Sequence, residues 1–246
     1  MLAACDNSPK FQVSGTIEGA KDSTLHLIQN TLDGVQKLSS VKLKEDGAFS
    51  FKAAAPTGAP EFYALQIGGH IINFAVDSTE HITIAAQLPT LKDGYTIEGN
   101  ESSKKIKEIS LKQQKLQARL IEIEQNEDML PGDQRDSIEN LANAYKESMK
   151  KDYILTDPAS AYYAVCQSIT DLGGTYMLFN PVSDRKDIKC YAAVATAWDG
   201  KYPDAPRTQQ LCNMVIKGME NTAAPQQKII NVDEEKITET GIIDIT

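Results

Sequence analysis

The sequence predicts an α+β protein, an N-terminal antiparallel β-sandwich followed by an all-α helical region. Two patterns and a length argument lead there. From Phe11 to Glu98 apolar and polar residues alternate with period two between Gly, Pro and Asp-Gly turns, as in short strands with one buried face. After Gly99 the apolar residues recur three and four positions apart, as on one stripe of a helix. A chain of 246 residues has room for two modest domains at roughly 100 to 200 residues each. The predicted division is a short tether over 1–9, a sandwich over 10–99, a helical domain over 100–222 and a linker over 223–246.

Eight strands are expected, over 11–17, 24–29, 35–42, 48–52, 61–66, 71–77, 82–86 and 95–98. The clearest hairpin signal is Asp46-Gly47 between Val41-Lys42-Leu43 and Phe49-Ser50-Phe51, because glycine takes positive φ without steric cost. Gly68-Gly69 marks a second tight turn. Asn100-Glu101-Ser102-Ser103 offers capping side chains, and Ile106, Ile109, Leu116, Leu120 and Ile123 then form an amphipathic stripe. Pro131-Gly132-Asp133 breaks it, and Ile138, Leu141, Tyr145 and Met149 begin a second stripe, which suggests an antiparallel helical hairpin. Asp157-Pro158 is read as opening a helix through Tyr162, Tyr163, Val165 and Ile169 to Gly173-Gly174. Ser183-Asp184 opens another through Trp198 with its stop at Gly200, and Asp204-Ala205-Pro206 opens a last helix reaching Met219.

Composition excludes several classes of function. With 25 Lys+Arg against 34 Asp+Glu the formal charge is -9, so a nucleic acid would be repelled by most of the surface. No apolar run approaches the ~20 residues of a membrane-spanning helix. There is no GxSxG elbow, no GxGxxG and no GxxxxGK phosphate loop. His26, His70 and His81 fall on separate strands, without a second His or Cys at ligand spacing, so neither a metal nor another cofactor is expected.

The start, Met1-Leu2-Ala3-Ala4-Cys5, is similar to the lipobox of bacterial lipoproteins. That resemblance makes Cys5 a lipid-attachment site and the membrane a partner through the anchor. The polar Asp6-Asn7-Ser8-Pro9 then reads as a tether. The expected location is the cell envelope, facing the periplasm or the cell surface. Cys166, Cys190 and Cys212 lie in apolar helical contexts without CxxC spacing and are expected to be small packed thiols.

The chain also resembles a group of Bacteroidetes envelope lipoproteins. These have a β-rich domain of unknown function 4369, a helical region and a carboxy-terminal thioredoxin-like domain. The residues that carry the likeness are Phe11 to Ile17, Asp22 to Leu25, Ile72 to Glu80, Gly99 to Lys107, Ala192 to Asp199 and Tyr202 to Thr208. In that family a segment like Glu239 to Ile245 leads into the redox domain, whose CxxC exchanges thiols and disulfides. No residue of this chain matches those cysteines. The resemblance therefore implies a non-catalytic accessory or docking module, with protein clients belonging to a linked redox domain, and it makes 223–246 a linker toward that domain. A stand-alone envelope lipoprotein that binds a peptide or glycan between sandwich and helices is the alternative.

One local cluster is a binding candidate: Trp198, Asp199, Tyr202 and Arg207. Aromatic residues and arginine are enriched where proteins recognise partners, and this stretch holds the single Trp. The competing reading is a structural corner, with Trp198 in the core and Arg207 paired to Asp204 or a helix end.

Overall fold

The protein, a computed structural model, is described over residues 8–91, 94–171 and 174–223. Eight strands build two four-stranded sheets: β1 (Lys10–Glu18), β2 (Thr24–Thr31), β3 (Gly34–Lys42), β4 (Ala48–Ala54), β5 (Glu61–Ile67), β6 (His70–Val76), β7 (His81–Gln87) and β8 (Thr96–Glu98). One sheet has the order β4-β1-β7-β8 and the other β3-β2-β5-β6. Neighbours are antiparallel except β1 and β7, which run parallel with Gly15 opposite Ile84. Gly15 is required there: its φ is 151°, and a Cβ would stand 1.7 Å from the Ile84 carbonyl oxygen.

The two sheets enclose Phe11, Val13, Leu25, Leu65, Phe74 and Ile84, among others. β7 alternates strictly between buried and exposed residues, so its sheet meets the core on one face only. β5 does not alternate. Phe62, Tyr63, Ala64 and Leu65 are all buried, because the second sheet is covered on both faces. Tyr63 and Leu65 join the sandwich core, while Phe62 joins the core of the helical layer.

The helical layer begins with α1 (Glu101–Glu124). Its cap also pins it to the sheet. Asn100 Oδ1 accepts from the Ser103 amide at 2.7 Å, and Asn100 Nδ2 donates to the Ala75 carbonyl at 2.9 Å. The Ser103 hydroxyl donates to the same carbonyl and accepts from the Ala75 amide. β6 is an edge strand, and these bonds satisfy part of the edge that would otherwise be open. α1 ends at Glu124, ahead of the expected break at Pro131-Gly132-Asp133, and α2 (Pro131–Met149) then starts with Pro131 in its first turn.

After a π turn at Lys150–Ile154 and a 3-10 turn at Pro158–Ser160, the structure departs from the expected helix. Only α3 (Tyr162–Val165) is helical, and the chain then forms a two-stranded hairpin, β9 (Ser168–Asp171) and β10 (Gly174–Met177). The helical region is thus not all-α. Tyr162, Tyr163, Val165, Ile169 and Thr170 are aromatic or β-branched and weak helix formers. Tertiary contacts then favour the strand. Gln117 of α1 donates to the Thr170 carbonyl at 2.6 Å and accepts from the Thr170 amide at 3.0 Å, so a side-chain amide stands in for a neighbouring strand.

The last helices are α4 (Arg185–Lys201) and α5 (Pro206–Thr222). Asp184 caps α4 by accepting from the Lys186 and Asp187 amides. Gly200, expected as the stop, lies inside α4. α5 packs so closely against the segment before α4 that a Cβ on Gly218 would lie 2.1 Å from the Pro181 carbonyl oxygen. The core of this layer joins Trp198, Tyr191 and Val194 of α4 to Leu116 and Leu120 of α1, Phe179 and Leu211. No helix among the described residues is long and apolar enough to cross a membrane.

Candidate binding site

The seam between sandwich and helices is organised by Arg207, at the start of α5. It is 5% exposed. Its Nη2 donates to Glu61 Oε2 at 2.7 Å and to the Asn30 carbonyl, its Nε donates to the same Glu61 oxygen at 3.2 Å, and its Nη1 donates to the Tyr162 hydroxyl at 3.3 Å. The guanidinium carbon also sits 5.0 Å from the Phe62 ring centroid and 5.3 Å from that of Tyr162. Burial alone would lower the pKa of Arg207, but the bonds to Glu61 and Tyr162 outweigh it and raise the pKa. One arginine therefore ties the ends of β2 and β5 to α3 and α5.

Aromatic rings continue outward from this point. Tyr162 stacks on Phe62 with centroids 5.0 Å apart, Trp198 lies 4.8 Å from Tyr162, and Tyr202 meets Trp198 edge-on at 5.2 Å. The four residues singled out in the sequence are thus not one surface. Trp198 and Arg207 are interior, Tyr202 is half-buried and Asp199 is exposed. The partner of Arg207 is Glu61, 146 positions away, and not Asp204.

Beside the arginine, between β2, β5, α1 and α3, lies a cavity of ≈ 220 Å³ lined by Asn30, Phe62, Gln113, Tyr162, Tyr163, Cys166, Gln167, Ser168 and Arg207. Its walls are rings and side-chain amides. Gln167 is 4% exposed, and its Oε1 accepts from the Tyr145 hydroxyl at 2.8 Å. Its Nε2 is buried with no protein partner. Leaving an amide donor in that condition costs about 1–3 kcal/mol. Sequence reasoning missed Glu61, Phe62, Tyr162 and Gln167. The unbroken apolar run of β5 was the one available signal, since it implies a strand covered on both faces.

Cys166, Cys190 and Cys212 are free thiols. Cys166 keeps some exposed surface, but burial of the thiol pushes its pKa up to about 11, against smaller lowering by hydrogen bonds from Tyr191 and Tyr162. Burial likewise raises the Cys190 pKa. Two other features bear on chemistry. Ser14 Oγ lies 2.7 Å from His81 Nε2, but on an exposed part of the first sheet. A second cavity, ≈ 290 Å³, is lined by Lys146, Lys150, Lys186, Glu147, Asp184 and Asp187 among others, with charges that balance. Within it Asp187 is spoken for by Lys146 at 2.5 Å and the Asn180 amide at 2.7 Å. No group of three or more His, Cys, Asp or Glu able to hold a metal ion occurs among the described residues. Cys5 and the segment from 224 to 246 lie outside the described residues.

No curated protein matches the chain. Among solved structures, transthyretin from Sparus aurata is similar at 12% identity and a TM-score of 0.23, over 37% of this chain and 95% of that one. Residues 11–106, the sandwich together with the beginning of α1, match the family model described as Domain of unknown function (DUF4369).

Proposed function

We propose that this chain is a non-catalytic docking module of a cell-envelope lipoprotein, anchored through Cys5. It serves a thiol-disulfide oxidoreductase by holding a thioredoxin-like redox domain near the membrane. The observation that carries this reading is the state of the thiols. A redox-active cysteine is activated by a lowered pKa, whereas Cys166 is pushed up to about 11 and Cys190 is also raised. Neither is poised as an attacking thiolate near neutral pH.

Insulin reduction with dithiothreitol tests it. The purified chain is expected to be no faster than its variant carrying Cys166→Ser, Cys190→Ser and Cys212→Ser, and turnover above that variant overturns the reading. The anchor is tested separately, by fractionating cells that express the chain behind a bacterial lipoprotein signal peptide. Wild type is expected in the membrane fraction and Cys5→Ser in the soluble fraction. A second reading, an envelope protein that binds a ligand in its own right, is favoured by the cavity beside Arg207 at the seam of the two layers.

A further inference from the structure

We propose that the open edge of β3 is a docking site for an extended, acidic segment of a partner polypeptide, which joins the second sheet as an added strand. The inference is independent of the redox reading above and concerns a surface which that reading leaves unassigned. Among the described residues β3 is the longest edge strand, at nine residues, and none of the nine is buried. The opposite edge of the same sheet, β6, is held by the bonds from Asn100 and Ser103. The strand neighbour of β3 is β2 alone. Backbone groups on the far side of such a strand form a template for one more strand.

Charge selects the occupant. From Gly34 to Lys44 the chain carries Lys37, Lys42 and Lys44 and no carboxylate, in a protein whose formal charge is -9. A bulge then aligns two of these lysines. Lys37 and Lys42 are five positions apart, which in a regular strand puts side chains on opposite faces. Here the register with β2 shifts between Leu27 and Ile28, so Lys37 stands opposite Ile28 and Lys42 opposite Thr24. Thr24 and Ile28 are four apart on β2, so both lysines share one face, together with Val35 opposite Asn30. Four residues of an extended chain span ~13 Å. The matching antiparallel segment therefore carries two carboxylates four positions apart and an apolar residue two positions later, opposite Val35, which is 69% exposed. Lys42 already meets Asp22 at 3.0 Å, but both side chains are mostly exposed, and so hydrated a pair is readily exchanged. A second copy of this chain is the poorer occupant, because β3 against β3 gathers the lysines of both copies in one ribbon.

The test titrates the whole chain, labelled with 15N, with the peptide acetyl-Glu-Thr-Thr-Thr-Glu-Thr-Val-amide. Saturable shifts are expected at the backbone amides of β3. An isomer of the same composition, with its glutamates three apart and hence on opposite faces, is expected to bind about threefold more weakly, the worth of one cross-strand charge pair. With lysine in place of both glutamates, no saturable shift is expected. In the double variant Lys37→Glu, Lys42→Glu the preference should invert, so that the lysine peptide binds and the glutamate peptide does not. Both positions are exposed, and the ranking of the peptides on wild type stands whether or not that variant folds. Absence of a saturable shift at β3, or equal binding of the two isomers, overturns the proposal. Shifts at β3 that follow protein concentration without peptide overturn it as well, since they make the edge a contact between copies. The insulin and fractionation assays above are unaffected by any of these outcomes.

Discussion

Arg207 holds a full charge at 5% exposure because Glu61, Tyr162 and Asn30 all accept from it and two rings flank it. Removing it leaves Glu61 without its cation in a place where water reaches only part of the carboxylate. Arg207→Ala is therefore expected to lower the unfolding free energy by about 3 kcal/mol in urea denaturation. Arg207→Lys should recover less than half of that, since an ammonium cannot make the forked contacts. Cys166 offers a second residue-scale check. With its pKa at about 11, alkylation by iodoacetamide at pH 8 should run about a hundredfold slower than for a thiol in an unfolded peptide. Of this site, Arg207 and Trp198 were legible in the sequence. Their partners were not, because Glu61 is 146 positions from Arg207 and no local pattern links them.

Element-scale packing is tightest where α5 crosses the segment before α4. A Cβ on Gly218 would meet the Pro181 carbonyl at 2.1 Å and Ile188 at 2.8 Å, and carbonyl oxygens do not yield as flexible side chains do. Gly218→Ala should cost about 2 kcal/mol, which in a chain of this size lowers Tm by about 4–8 °C in a thermal melt. The β9–β10 hairpin depends instead on a borrowed partner. Because the Gln117 amide replaces a strand at Thr170, Gln117→Ala is expected to speed hydrogen exchange of the Thr170 amide by about tenfold while α1 amides stay protected. This hairpin is also where the expected helix failed. Periodicity over Tyr162 to Ile169 fits either element when the run is short, and contact with α1 decides between them.

Burial makes the whole molecule sensitive to alkali. Burial raises Cys166 to about 11 and, as the largest cause, Tyr63 and Tyr162 to about 12. In the unfolded chain a thiol ionises near pH 8.5 and a phenol near 10. The unfolded state therefore releases protons first, and its advantage grows with pH. Stability is intact below about pH 8.5 and falls from there toward pH 12. Urea midpoints measured across that range should decline throughout, and Cys166→Ala should flatten the portion below pH 11 and leave the tyrosine portion in place.

By itself the sequence determined the eight strands, the paired helices and the start of α5 at Pro206, because side-chain periodicity and capping act between residues a few positions apart. The covering of β5 on both faces, the hairpin at Thr170, the Arg207–Glu61 pair and the cavity beside Gln167 were decided only by the tertiary structure. Each needs groups from distant segments to share one volume with little water. In that volume an unpaired charge or amide costs more than local propensity can repay.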